Sequence, residues 1–231
     1  MASRLMKVHR LHAWDLAPAE AVALQRQLAG RVEAGPPLGR CDLVAGADVS
    51  YNRFSNVFYG GVVVLRTSDL EVVERQGAVR EVHFPYIPGL LSFREAPVLL
   101  DAFARVKSEP DAVIVDAHGL SHPRRFGLTC HVGLCLDRPT LGCAKTRLTG
   151  TYEEPGPRAG AHAPLTDKGE VIGSVLRTRA GVRPVFVSVG HRTDLASAVR
   201  LVLRTCRGYR LPEPTRQAHH YVNSLRRAGG A

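Results

Sequence analysis

Three apolar runs follow one another with little chain between them, and they narrow the fold more than any other feature. Leu43–Val49 reads as a largely buried strand. Val57–Arg66 and Leu70–His83 read as two more, joined by a short turn around Thr67-Ser68-Asp69. Connections this short favour antiparallel neighbours, because a parallel crossover needs a dozen or more residues. The predicted start is therefore an antiparallel meander. Beyond it the pattern alternates. A helix carrying Leu99, Phe103 and Val106 on one stripe precedes a short buried strand, Asp111–Asp116. A helix around Thr129–Leu136 and a strand near Thr140–Ala144 come next, followed by strands over Val171–Arg177 and Val182–Val189. Helices near Asp194–Arg204 and Pro214–Arg226 close the chain, and another is predicted over Ala17–Glu33, where strong helix formers meet few breakers. This order specifies an α/β fold, a mixed sheet with an antiparallel meander and flanking helices. At 231 residues and 45% hydrophobic composition the chain can build one sizeable core, and residues 1–231 are read as a single domain. Residues 150–168, rich in Gly, Pro and charge, read as a long surface excursion of the kind that is often functional.

The formal net charge of +10 suits a polyanionic partner. Nucleic acid is the commonest one, because neutralised phosphates release condensed counterions; a scattered surface excess is the plain alternative. The five cysteines, Cys41, Cys130, Cys135, Cys143 and Cys206, are odd in number and form no C-x-x-C pair. Neither a disulfide framework nor a zinc knuckle is indicated, and they read mostly as small buried apolar side chains. The first fourteen residues mix Arg4, Lys7 and Arg10 with isolated apolar residues, unlike a signal peptide. No stretch approaches the length needed to cross a bilayer, so the expectation is a cytoplasmic protein without a membrane partner.

Two carboxylates sit where apolar residues would be cheaper. Asp48 interrupts the first apolar strand and Asp116 ends the fourth. Burying an unpaired carboxylate costs several kcal/mol, on the order of a domain's stability margin. Such a group needs hydrogen bonds, a cation or a metal. Glu95 adds a third, one turn before Leu99 on an otherwise apolar helix face. Oxygen donors of this kind suit magnesium or manganese, and a divalent ion among them serves phosphodiester hydrolysis. Each also has a plain structural role available. Asp48 and Asp116 could cap turns, and Glu95 could complete a capping box with Ser92, although Pro97 pushes the expected helix start towards Arg94–Ala96. Jointly, a metal site accounts for all three. His118 and His122 are four residues apart, but Gly119 and Pro123 argue against the regular helix that a zinc pair of that spacing needs. Arg124 and Arg125 fit phosphate binding, with a solvated turn as the alternative. Lys145 would bring an ammonium to the same sheet edge or simply end a strand.

These residues resemble a known family. Gly46–Tyr51, Pro85–Glu95 and Asp116–Gly127 look like the signature blocks of the endonuclease V family, in the family's order. Gly142–Leu148 and Arg210–Arg216 resemble two further blocks, so the likeness runs from about Leu43 to His220. The resemblance implies a ribonuclease H-like fold and a DNA repair endonuclease, a deoxyinosine 3′ endonuclease. It implies magnesium as cofactor, with manganese able to substitute. The expected reaction is hydrolysis of the second phosphodiester 3′ to deoxyinosine, leaving 3′-hydroxyl and 5′-phosphate ends. Asp48 and Asp116 match the family's metal-binding aspartates, Glu95 its acidic partner, and His122 and Lys145 its catalytic histidine and lysine. Tyr86 matches a wedge against the bases, within the loop Pro85, Ile87, Pro88 and Gly89. The residues support that wedge, since two prolines fix the loop at little entropic cost. Gly89 and Gly119 offer room for close approach to a nucleotide, or serve turns. Two departures stand out. Ala117 occupies a position where the family more often has glycine. Near the C-terminus some members place an acid and others a histidine by the metal; His219 and His220 are adjacent here, and His219 is the expected ligand. The expected partner is deoxyinosine-containing DNA bound by a monomer. The alternatives are an enzyme acting mainly on inosine-containing RNA and a non-catalytic nucleic-acid binder of the same fold.

Overall fold

The computed structural model describes residues 5–229. Eight strands form one mixed sheet in the order β3-β2-β1-β4-β5-β8-β7-β6. The meander is present: β1 (Leu43–Tyr51), β2 (Val57–Arg66) and β3 (Val72–Glu81) pair antiparallel. β4 (Ala112–Val115) lies parallel to β1, and β5 (Thr140–Ala144) parallel to β4. β8 (Val185–His191), β7 (Glu170–Leu176) and β6 (His162–Asp167) extend the sheet antiparallel. Side-chain alternation along β1 divides the core into two layers. Ala45 and Ala47 pack with α2 (Leu91–Phe103) and α3 (Leu128–Leu136), whereas Val44 packs with α4 (Leu195–Arg204) and α5 (Glu213–Gly229). Gly46 shares the parity of Val44, and α5 crosses it so closely that a Cβ there would meet the Pro214 carbonyl at 2.0 Å. Asp48, two residues on, is thereby aimed at α5. The five cysteines are free thiols, four of them buried. No helix among the described residues is long and apolar enough to cross a membrane.

Three expectations need correction. The excursion at 150–168 is not all loop. Its second half is β6, an edge strand paired with β7 through a two-residue turn in which Lys168 and Gly169 both have positive φ, 54° and 81°. That geometry suits a hairpin, and Pro164 is tolerated because β6 is at the sheet's edge. The helix bearing Glu95 starts at Leu91, not at Arg94–Ala96, and runs through Pro97. Nine of its thirteen residues are buried, so packing outweighs the backbone bond that proline removes. No capping box forms: the Ser92 hydroxyl is buried with no partner among the described residues. The N-terminal helix α1 spans only Pro18–Ala29, stopping before Gly30.

Candidate active site

Because β1, β4 and β5 are adjacent and parallel, their carboxyl ends share one edge of the sheet. Ala47 is in register with Val115, so Asp48 and Asp116 emerge side by side. Lys145 follows β5 directly and its ammonium contacts Asp116 Oδ2. α2 brings Glu95 to the same edge. This is where open α/β sheets place ligands, beyond the carboxyl ends of parallel strands.

The electrostatics are those of an under-compensated acidic cluster. The Asp48 carboxylate is raised above its ordinary range, first by burial and then by repulsion from Asp116; a hydrogen bond from His219 and one from the Val49 amide oppose this. His219 Nδ1 donates to Asp48 Oδ2 at 2.8 Å. Glu95 is pushed up to about 8, by burial first and then by Asp48, with only Arg94 pulling the other way. α5 turns His219 towards Asp48 and leaves the neighbouring His220 exposed. One turn further, Asn223 donates to the His219 carbonyl at 2.8 Å and accepts from Ser50 Oγ at 2.9 Å. That brace escaped the sequence reading, which had no way of knowing that α5 lies over β1.

Among the described residues no three His, Cys, Asp or Glu side chains form a ready-made ligand set. Lys145 instead pairs with Asp116, and His219 hydrogen-bonds Asp48. The donor chemistry nonetheless fits a divalent cation. Burial and the neighbouring acids raise both Asp48 and Glu95 at this edge, and Glu95 has no counter-charge of its own beyond the influence of Arg94.

Beside the acids lies a cavity of about 320 Å³, lined among others by Tyr86, Ile87, Ser92, His118 and Lys145. Tyr86 stands 65% exposed at its lip, with Pro85 and Pro88 also exposed. His118 donates to or accepts from Ser121 Oγ at 2.9 Å, and burial lowers its pKa. The Tyr86 loop is clamped at its far end. Gly89 has φ +82°, and its carbonyl accepts from Gln25 Nε2 (3.0 Å), His122 Nε2 (3.1 Å) and Arg124 Nη2 (2.7 Å). His122 Nδ1 accepts from the Arg124 amide, so both ring nitrogens are engaged, and burial lowers its pKa to about 4. The ring is a neutral strut and does not touch the acids.

Several predicted nucleic-acid contacts thus have internal partners. Arg124 Nε donates to Gln25, and Arg125 pairs with Asp167 and Glu170 at the β6–β7 turn. Gly119 is buried against β8, where a Cβ would meet the Val189 carbonyl at 2.0 Å; that close approach is to protein, which corrects the reading of it as room for a nucleotide. Gln25 was missed. Its one trace in the sequence is polarity on the stripe Ala21, Gln25, Leu28, otherwise apolar and buried.

Clustered acids alone would repel an anionic substrate. Lys145 at their rim, an adjoining cavity and a net positive chain reverse that, and the class such a fold and edge define is an endonuclease. The endonuclease V family model matches residues 26–220, and the chain belongs to that family. It is 53% identical over 224 residues to an endonuclease V of Gloeobacter violaceus, covering 94% of this chain and 90% of that one. Among solved structures, the endonuclease V of Streptomyces avermitilis superposes with a TM-score of 0.91 at 41% identity, covering 97% of this chain and all of that one. A Ciona intestinalis endonuclease V, solved in complex with a 23mer DNA containing an inosine followed by a ribo-adenosine, gives a TM-score of 0.79 at 26% identity, over 91% of this chain and 97% of that one.

Proposed function

We propose that this endonuclease repairs deaminated DNA, hydrolysing the second phosphodiester 3′ to deoxyinosine and leaving 3′-hydroxyl and 5′-phosphate ends. The observation that carries this reading is the meeting of Asp48, Glu95 and Asp116 at one sheet edge, next to a cavity whose lip bears the exposed Tyr86. Asp48, Asp116 and Glu95 would hold magnesium, or manganese in its place, with His219 orienting or completing the set. The bound ion would supply an activated water and charge stabilisation at the phosphorus.

The chain's own groups do the rest. Lys145, 43% exposed in its side chain, can turn from Asp116 to a non-bridging phosphate oxygen. Tyr86 fills the space left by an extruded base, and its loop resists displacement because Gln25, His122 and Arg124 hold Gly89. The cavity receives the base, with the partnerless Ser92 hydroxyl as one hydrogen-bonding group within reach of its wall.

The test is cleavage of a strand with one deoxyinosine, in magnesium and in chelator. Cutting one nucleotide beyond the lesion, only with magnesium, is expected; equal activity in both defeats the reading. A ribo-inosine strand of the same sequence decides between DNA and RNA, a choice raised by the ribo-adenosine in the Ciona complex.

A further inference from the structure

We propose that a basic groove on the far side of Lys145 is a track for the nucleic-acid strand 3′ of the cut. The inference rests on the reading above for its polarity. The groove has a volume of about 940 Å³ and is lined by Lys145, Arg147, Tyr152, Arg177, Arg183 and Arg210 among others. Five basic side chains face a single carboxylate, Glu154, which Arg177 already neutralises. The polarity follows from adjacency. The groove and the cavity behind Tyr86 share Lys145 and Thr146 as their common wall. A strand whose altered base enters the cavity reaches Asp116 and Lys145 with its scissile phosphate. A cut on the 3′ side of that base sends the following nucleotides into the groove.

The cations divide into two kinds. Arg177 and Arg210 are braces. Arg177 donates to the carbonyls of Gly156 (2.7 Å) and Pro155 (3.0 Å), and Arg210 to those of Arg183 (2.9 Å) and Pro184 (2.8 Å). They build the walls from the backbone. Arg147 and Arg183 are exposed, and among the described residues neither has a carboxylate partner. Arg147 lies 5.8 Å from the centre of the Tyr152 ring, which meets Phe186 edge-on at 5.6 Å. Two uncommitted guanidinium groups beside a supported aromatic ring suit phosphates and a stacked base of a single strand. This also gives the first half of the Gly- and Pro-rich excursion a role as one wall of the track.

The experiment uses the R147Q/R183Q double variant and two strands, each with one deoxyinosine, one with a long 3′ arm and one with a long 5′ arm. Affinity is read by fluorescence anisotropy in chelator, and KM and kcat in magnesium. For the 3′-arm strand the variant should bind about tenfold more weakly and lose about 1 to 1.4 from the slope of log K against log salt, roughly 0.7 per lost phosphate contact. KM should rise in parallel while kcat and the affinity for the 5′-arm strand hold. Unchanged binding, equal losses on both arms, or loss on the 5′ arm alone would each overturn the track. Wild-type protein that treats inosine and unmodified strands alike would instead sink the preceding reading, while arm-length dependence would still report on the groove.

Discussion

The acidic edge and the clamp on Gly89 are both assembled from buried polar groups, yet they balance their charges differently. At the clamp, Gln25, His122 and Arg124 have protein partners for nearly every polar atom. At the edge, three carboxylates share one ammonium and one imidazole, and Glu95 is left raised to about 8. A satisfied network rigidifies a fold; an unsatisfied one of like charges destabilises it and is retained where a ligand supplies the missing charge. By that criterion His122 and Arg124 belong to the scaffold behind Tyr86, whereas Asp48, Glu95 and Asp116 are the groups that the proposed chemistry would use.

The largest expected effect breaks this contrast from the acidic side. Glu95→Gln keeps the shape but removes the carboxyl that a bound cation would ionise. Cleavage should fall on the order of 10³-fold, about 4 kcal/mol of barrier, while the thermal midpoint holds or rises. A fall in both activity and midpoint would mean that the edge is structural.

Acid should act on the opposite side of the comparison. His122 titrates near 4 when folded against 6.5 as its ordinary value, and burial also lowers His131, which lies against His12. Between about pH 6.5 and 4 the unfolded chain therefore binds protons that the folded chain refuses, so stability is full above that window and is lost as pH falls through it. His122 alone would contribute about 3 kcal/mol of that loss. Denaturant midpoints across this range check it, and His122→Asn should flatten the dependence.

Next in size, Arg124→Ala leaves the Gly89 carbonyl and Gln25 short of a donor. About 1–3 kcal/mol of stability should go, with cleavage reduced through a displaced loop and the acids untouched. Urea melts together with kinetics decide this; a variant that loses activity at full stability would make Arg124 a substrate contact. The smallest change is Tyr86→Ala. Its side chain is exposed, so stability should be unaltered, while cleavage of duplex falls about tenfold, roughly 1.4 kcal/mol, and that of single strands less. Equal losses on both substrates would remove the wedge role.

Much of this was legible because burial leaves a mark on composition. Strands β1, β2, β4, β5 and β8 are apolar runs, and Asp48 and Asp116 stand out against them. β6 was not legible, since a short edge strand carrying Pro164 and half exposed has neither a continuous apolar run nor a high strand propensity. The passage of α2 through Pro97 was hidden for the opposite reason, because local preference pointed to a later start and tertiary burial overrode it.

The order of residues along the chain determined which groups were out of place: carboxylates in apolar strands, an aromatic held between prolines, an excess of positive charge. Solvation is a property each residue carries with it, so a mismatch shows without a fold. Partnership is not. That Lys145 meets Asp116, that His219 rather than His220 meets Asp48, and that Arg125 faces Asp167 and Glu170 are decided by parallel strand register and by where α5 crosses β1. Hydrogen bonds and ion pairs act over a few ångströms, and only the folded chain brings residues as far apart in sequence as Asp48 and His219, 171 positions, within that reach.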